Sequence, residues 1–155
     1  MLCHLFRLIL VGVALSHVGV VLSHVGVALS REPTGSYTAT RTEPGYLNLT
    51  YTFPSYRLKV FIEFSCASGM TPIRGIFPLI KESDVLYKIG FTDPENGFIT
   101  PECLAFITSF RSACPAYKAL KHGDFYDIQY DVKHDRPTVR VHGIAFELVH
   151  KEAPH

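Results

Sequence analysis

Apolar and polar residues alternate along most of the chain after Tyr46, which is the pattern of strands with one buried face. The clearest alternation covers 47–53 and 57–66, two runs that are joined by Pro54 and Ser55. Two such runs around a short Pro-containing turn predict an antiparallel hairpin. Further apolar runs cover 73–80, 85–91, 126–132 and 139–148.

The hydrophobic period changes between Thr100 and Pro115. Thr100 suits the N-cap of a helix, Pro101 suits its first turn, and Pro115 would end it. This segment therefore predicts one amphipathic helix of about 13 residues. The residues on its predicted apolar face are Cys103, Leu104, Phe106, Ile107, Phe110 and Cys114.

Together these elements predict an α+β fold, in which an antiparallel β-sheet of about seven strands packs against the one amphipathic helix. A β-barrel or a β-sandwich with one covering helix is the alternative. A chain of 155 residues has room for one core of this kind. We expect a signal peptide at 1–30, an N-terminal extension at 31–45, a single β-rich globular domain at 46–150 and a C-terminal tail at 151–155.

The first 30 residues have the composition of an export signal. A single cation, Arg7, precedes a long apolar run that contains no acid. The run repeats a seven-residue unit, and its copies end at Ser16, Ser23 and Ser30. We favour cleavage after Ser30, because a charged, turn-forming stretch starts at Arg31. Cleavage predicts a secreted, extracellular protein, whereas an uncleaved segment is long enough to be a membrane anchor.

The formal charge of the chain bears on which partners we expect. The chain has 15 Lys and Arg and 14 Asp and Glu, and Arg7 is the one cation of the first 30 residues, so the remainder has 14 of each. A neutral domain lacks the basic surface that binds phosphate backbones, so we expect no nucleic acid partner. No phosphate-binding glycine loop occurs, and we expect no cofactor.

In an oxidising compartment the cysteines should form a disulfide. Cys103 and Cys114 lie roughly 16 Å apart along the predicted helix, too far for a bond. Cys66 should therefore pair with one of them. We favour Cys114, because a Pro-broken loop follows it, and Cys103 is the other possibility. A helix N-terminus can activate a thiol, but Cys103 lies on the apolar face and is better explained as a core residue or a disulfide partner.

One modification site and one acid–base set are present in the sequence. Asn48 begins an Asn-Leu-Thr sequon on the polar face of its strand, which predicts N-glycosylation. His142 and Arg140, with Glu63 or Asp127 as the acid, are the residue types that a small secreted ribonuclease requires. The histidines and acids of the C-terminal third do not have zinc-site spacing, so we expect no metal.

These observations favour a secreted, non-enzymatic binding or interaction protein that acts on an extracellular protein or a small apolar ligand. The alternative is a small secreted hydrolase of ribonuclease type that uses His142 with a nearby acid. A cavity of several hundred cubic ångströms lined by aromatic residues would favour ligand binding, and a filled core would favour surface recognition.

Overall fold

A computed structural model of the chain describes residues 32–55 and 58–151. The predicted signal peptide at 1–30 and residues 152–155 of the predicted tail lie outside the described residues. The one α-helix of the described part is α1, Pro101–Ala113, and a 3₁₀ turn follows it at Pro115–Tyr117. The strands are β1 (Gly35–Arg41), β2 (Leu47–Phe53), β3 (Lys59–Ser65), β4 (Ile73–Lys81), β5 (Leu86–Ile89), β6 (Asp127–Asp131), β7 (Arg136–Val141), β8 (Ile144–Glu147) and β9 (Val149–His150).

The nine strands form one antiparallel sheet in the order β8-β7-β6-β5-β4-β3-β2-β1-β9. β8 and β9 lie at opposite ends of this order, yet only Leu148 separates them in the chain. Because β9 pairs with β1 while β8 pairs with β7, the sheet curls round into a nearly closed barrel. The predicted hairpin is the β2–β3 pair, in which Tyr51 lies opposite Ile62. An antiparallel sheet with one helix is thus confirmed.

The predicted number of strands, about seven, is wrong for two reasons. First, β1 lies within the stretch 31–45, which the pattern assigned to an N-terminal extension. Second, the apolar run 139–148 is not one strand. The chain reverses at His142 and Gly143, whose φ angles are 57° and 74°. Positive φ at both central residues is the geometry of a two-residue hairpin turn, and it divides the run into β7 and β8.

Aromatic side chains fill the interior of the barrel. Their rings meet edge to face, as do those of Phe110 and Phe125, whose centroids are 4.8 Å apart. This contact geometry is favourable for aromatic pairs. The space that an empty barrel would offer to a ligand is therefore occupied by the protein's own core. The largest fully buried aromatic residues are Tyr37, Tyr51, Tyr117, Tyr130, Phe64, Phe77, Phe110, Phe125 and Phe146.

Helix α1 lies at the end of the barrel where β3 ends and β4 begins. The Phe106 ring packs against Phe64, with centroids 5.3 Å apart, and lies over Gly75, where a Cβ atom would be 2.7 Å from it. Thr100 caps the helix by accepting a hydrogen bond from the Cys103 N–H at 3.3 Å. The predicted apolar face is wrong at Leu104, which is 59% exposed, because the helix meets the barrel through a narrower stripe.

Covalent and polar links also hold this end of the barrel together. Cys66, just after β3, forms a disulfide with Cys114, just after α1, and their Cα atoms are 5.3 Å apart. This is the pairing that the sequence favoured. Cys103 is buried and free. The Tyr117 hydroxyl donates a hydrogen bond to the Gly45 carbonyl at 2.7 Å. No helix among residues 32–55 and 58–151 has the length and hydropathy needed to cross a membrane.

Candidate functional site

The end of the barrel opposite α1 carries a pocket. At this end, which we call the mouth, β2 ends, β3 begins and β4 turns back into β5. The pocket has a volume of about 330 Å³. Phe53, Leu58 and Leu79 provide its main apolar surfaces, and Lys81 and Glu32 provide charged ones. We call it the mouth pocket.

One wall of the mouth pocket is the segment Glu32, Pro33 and Thr34, which precedes β1 and which we call the strap. Pro33 is buried. The Glu32 carboxylate lies 2.9 Å from the Lys81 Nζ atom at the end of β4. The Thr34 N–H donates a hydrogen bond to the Tyr37 hydroxyl in β1 at 3.2 Å. The strap is therefore fastened to β4 on one side and to β1 on the other.

Lys81 is the charged centre of this wall. Its ammonium group also lies 2.9 Å from the Asp84 carboxylate, so it faces two acids at once. The hydrogen bonds that Lys81 donates to Asp84 and Glu32 raise its pKa above the usual value. The ammonium group therefore remains charged, and it has two carboxylates as partners.

Tyr87, in β5, is the pocket residue with an unusual polar group. The residue is 2% exposed, and its buried hydroxyl has no hydrogen-bond partner among the described residues. Buried hydroxyls in proteins are normally hydrogen-bonded. The hydroxyl of Tyr51, for example, donates to the Phe125 carbonyl at 3.5 Å. Burial raises the pKa of Tyr87, so its hydroxyl keeps its proton.

A second polar group at the mouth is the Asp135 carboxylate, in the turn between β6 and β7. Its Oδ1 atom accepts hydrogen bonds of 2.7 Å from the hydroxyls of Tyr37 and Tyr130. Its Oδ2 atom lies 2.9 Å from the His150 Nε2 atom. Burial acts to raise the pKa of Asp135, but the three hydrogen bonds outweigh it and the net shift is downward. The carboxylate thereby ties β6 to β1 and β9, across the closure of the barrel.

The structure separates Glu63 from the other members of the predicted acid–base set, whereas Asp127, the alternative acid, begins β6, which pairs with the strand that carries Arg140. His142 lies in the β7–β8 turn, where its Nδ1 atom is 2.7 Å from the Ala119 carbonyl. Arg140 is exposed on β7. Glu63 lies on β3, where it forms an ion pair with Arg74. Between β3 and β7 lie three strands on one side of the barrel (β4, β5 and β6) and four on the other (β2, β1, β9 and β8), so Glu63 and His142 lie on opposite sides.

The other candidate residues lie on the strands as well. Asp127, the alternative acid, is opposite Lys88 in the β5–β6 pair. Asn48 is half-buried on the outer face of β2, and its Oδ1 atom accepts a hydrogen bond from the Thr38 hydroxyl at 3.1 Å. Within the described part of the chain, no group of three His, Cys, Asp or Glu residues is arranged to hold a metal ion.

Sequence reasoning missed the residues that form the mouth pocket. Tyr87 lies in the apolar run 85–91, but nothing in the sequence shows that its hydroxyl lacks a partner. Lys81 lies just beyond the apolar run 73–80, and the strap lies in the predicted N-terminal extension. No protein-family model, no curated protein and no solved structure matches this chain.

Proposed function

We propose that the protein is a secreted, non-enzymatic binding protein that holds a small, mainly apolar ligand in the mouth pocket. The observation that supports this most directly is the pocket of about 330 Å³ with Phe53, Leu58 and Leu79 in its walls. Ligand pockets in proteins have volumes of about 300–1,000 Å³ and mostly apolar walls. A cavity of about 150 Å³ holds benzene, so a ligand of roughly twice that size would fit here.

Two apolar residues of the pocket wall are held by the barrel itself. Phe53 and Leu79 are 2% and 8% exposed and lie on paired strands. The filled interior leaves no room for a ligand at the centre of the barrel, and α1 with its disulfide occupies the far end. A filled core by itself would favour surface recognition, so the case for a ligand depends on the mouth pocket, which offers apolar surface that is already in place and thereby limits the entropic cost of binding.

The extracellular part of the proposal has its own support. The apolar segment 1–30 has the composition of an export signal, and the Cys66–Cys114 disulfide is typical of oxidising compartments. In that setting Asn48 would carry a glycan on the outside of β2. If the segment stayed uncleaved, the same barrel would be anchored at a membrane surface.

The hydrolase alternative has no such support when Glu63 is the acid. A general acid and base must both reach the reacting atoms, and His142 and Glu63 lie on opposite sides of the barrel. Each side chain already has a partner of its own, the Ala119 carbonyl and Arg74.

A fluorescence titration tests the proposal, with 2-ethylnaphthalene as a dilute probe and the protein added in increasing amounts. We expect saturable binding. Leu58→Glu should weaken it by about tenfold or more, because a carboxylate would be buried against the apolar probe. Leu58 is 72% exposed, so the substitution should not unfold the protein.

Ile76→Glu is the matched control, because Ile76 is also an exposed apolar residue, at 51%, but does not line the pocket. It should bind the probe as the wild type does. Equal weakening in the two variants, or no saturable binding by the wild type, would show that the mouth pocket is not a ligand site.

A further inference from the structure

We infer that the ligand of the mouth pocket is an uncharged molecule with a carbonyl-type hydrogen-bond acceptor, and that the Tyr87 hydroxyl binds this acceptor. The inference rests on the proposed function and adds the chemical class of the ligand. Its starting point is a hydroxyl that is buried, lines the pocket wall through its residue, and has no partner among the described residues.

Tyr87 itself lines the mouth pocket. The charges of Lys81 and Glu32 both act on Tyr87, and both residues line the mouth pocket. The Tyr87 ring also packs against Tyr130, with centroids 6.3 Å apart. A ring held in this way keeps its hydroxyl in place, so a ligand gains a fixed donor without ordering a side chain.

The hydroxyls of two nearby tyrosines have a hydrogen-bond acceptor, whereas the Tyr87 hydroxyl has none among the described residues. Those of Tyr37 and Tyr130 each donate to Asp135 at 2.7 Å. A buried hydroxyl without a partner lowers the stability of the protein, because it has lost its hydrogen bonds to water. A bound ligand that accepts this hydrogen bond would remove that cost, and it would do so only when the pocket is occupied.

The protonation state of the Tyr87 hydroxyl determines which polar group on the ligand would be complementary to it. Burial raises the pKa of Tyr87, so the group stays a phenol. A phenol donates its proton well but accepts poorly, because its oxygen lone pair is conjugated with the ring. The complementary group on the ligand is therefore an acceptor such as a ketone, ester or amide oxygen.

The charges of the wall favour an uncharged ligand. An anionic ligand that approached Lys81 would meet the carboxylates of Glu32 and Asp84, each 2.9 Å from the ammonium group. A cationic ligand would meet the ammonium group itself. A charged ligand would also have to give up its water against the apolar side chains of Phe53 and Leu79, which is costly.

Two matched probes test the inference: 2-acetylnaphthalene, which carries a ketone, and 2-ethylnaphthalene, which has nearly the same shape without it. Both are titrated with wild-type protein and with Tyr87→Phe. We expect Tyr87→Phe to weaken binding of the ketone about 3- to 10-fold, the usual effect of one lost hydrogen bond. Binding of the hydrocarbon should be unchanged or slightly tighter.

Tyr117→Phe provides the control, because it removes a tyrosine hydroxyl at the opposite end of the barrel. It should leave the ratio of the two affinities at the wild-type value. If Tyr87→Phe affects both probes equally, or neither, the hydroxyl is not the ligand's partner and the inference is overturned while the proposed function stands. If the wild type binds neither probe, the proposed function fails and the inference fails with it.

Discussion

Replacing Asp135 by Asn should measure how strongly the mouth end of the barrel is held closed. The carboxylate side chain is 15% exposed and receives hydrogen bonds from Tyr37, Tyr130 and His150. An asparagine keeps the oxygen that faces the two tyrosines but loses the charge and the acceptor that faces His150. Hydrogen bonds to a charged group contribute about 1.5–3 kcal/mol each, so Asp135→Asn should lower the free energy of unfolding by about 2 kcal/mol.

The backbone adds little to this loss. Asp135 has a φ angle of 53°, in the left-handed region. Asn enters this region as readily as Asp does, whereas most other residues do so at a cost. Asp135→Asn therefore isolates the side-chain effect, and Asp135→Ala would combine it with backbone strain.

The effect should depend on pH with a known sign. The pKa of Asp135 in the folded protein lies below the ordinary value of an aspartate, so its carboxylate stabilises the fold at pH values above that ordinary pKa. This contribution is lost as the pH falls through the folded pKa. The difference in unfolding free energy between wild type and Asp135→Asn should be large at about pH 5 and should shrink as the pH drops below about 3.5.

Urea unfolding at several pH values provides the assay, and far-ultraviolet circular dichroism can follow it, since the chain has no Trp. Asp131→Asn is the control. Asp131 also lies beside a histidine, with the His134 Nδ1 atom 2.6 Å from its Oδ2 atom, but this pair is exposed and should contribute little. The reasoning is refuted if the two variants lose similar stability, or if the Asp135→Asn difference persists undiminished in acid.

Three further predictions concern the rest of the barrel. Replacing Cys66 and Cys114 together by Ser should lower the free energy of unfolding by about 4 kcal/mol, because the unfolded chain would no longer contain a closed loop of 48 residues. A change below about 1 kcal/mol in urea unfolding would contradict this. Cys103 is buried, and its pKa is raised to about 11. An alkylating reagent at about pH 8 should therefore modify this thiol only after the protein unfolds, and mass spectrometry detects the modification. Gly143→Ala should cost about 1 kcal/mol in the same urea assay, because φ is 74° there, and an unchanged midpoint would refute the turn geometry.

Local sequence patterns predicted the strands and the helix that have a clear hydrophobic period. The β2–β3 hairpin follows from alternation, and the start of α1 follows from the Thr100 cap and Pro101. The reversal after β7 also left a signal. Apolar residues fall on odd positions up to Val141 and on even positions from Ile144 onward, a change of face that a straight strand cannot make. A two-residue turn at His142 and Gly143 places the flanking residues, Val141 and Ile144, on the same face, and these two residues are paired in the β7–β8 register.

The sequence included a β-barrel as the alternative fold, but it could not decide in favour of closure, because closure depends on pairing between residues far apart in the chain. β1 has only one large inward residue, Tyr37, between Ser36 and Thr38, so its alternation is weak. Its pairing with His150 is visible only once the sheet has curled. The same curvature separates Glu63 from His142 and creates the mouth pocket, which is why the residue types alone suggested a different site.

The central claim is that the mouth, and not the end covered by α1, binds the ligand. Amide chemical-shift mapping of the isotope-labelled protein during titration with 2-acetylnaphthalene tests it most directly. We predict shifts concentrated at Phe53, Lys81 and Tyr87, with the amides of Phe106 and Cys114 unaffected. Shifts centred on α1, or none at saturating probe, would contradict the claim.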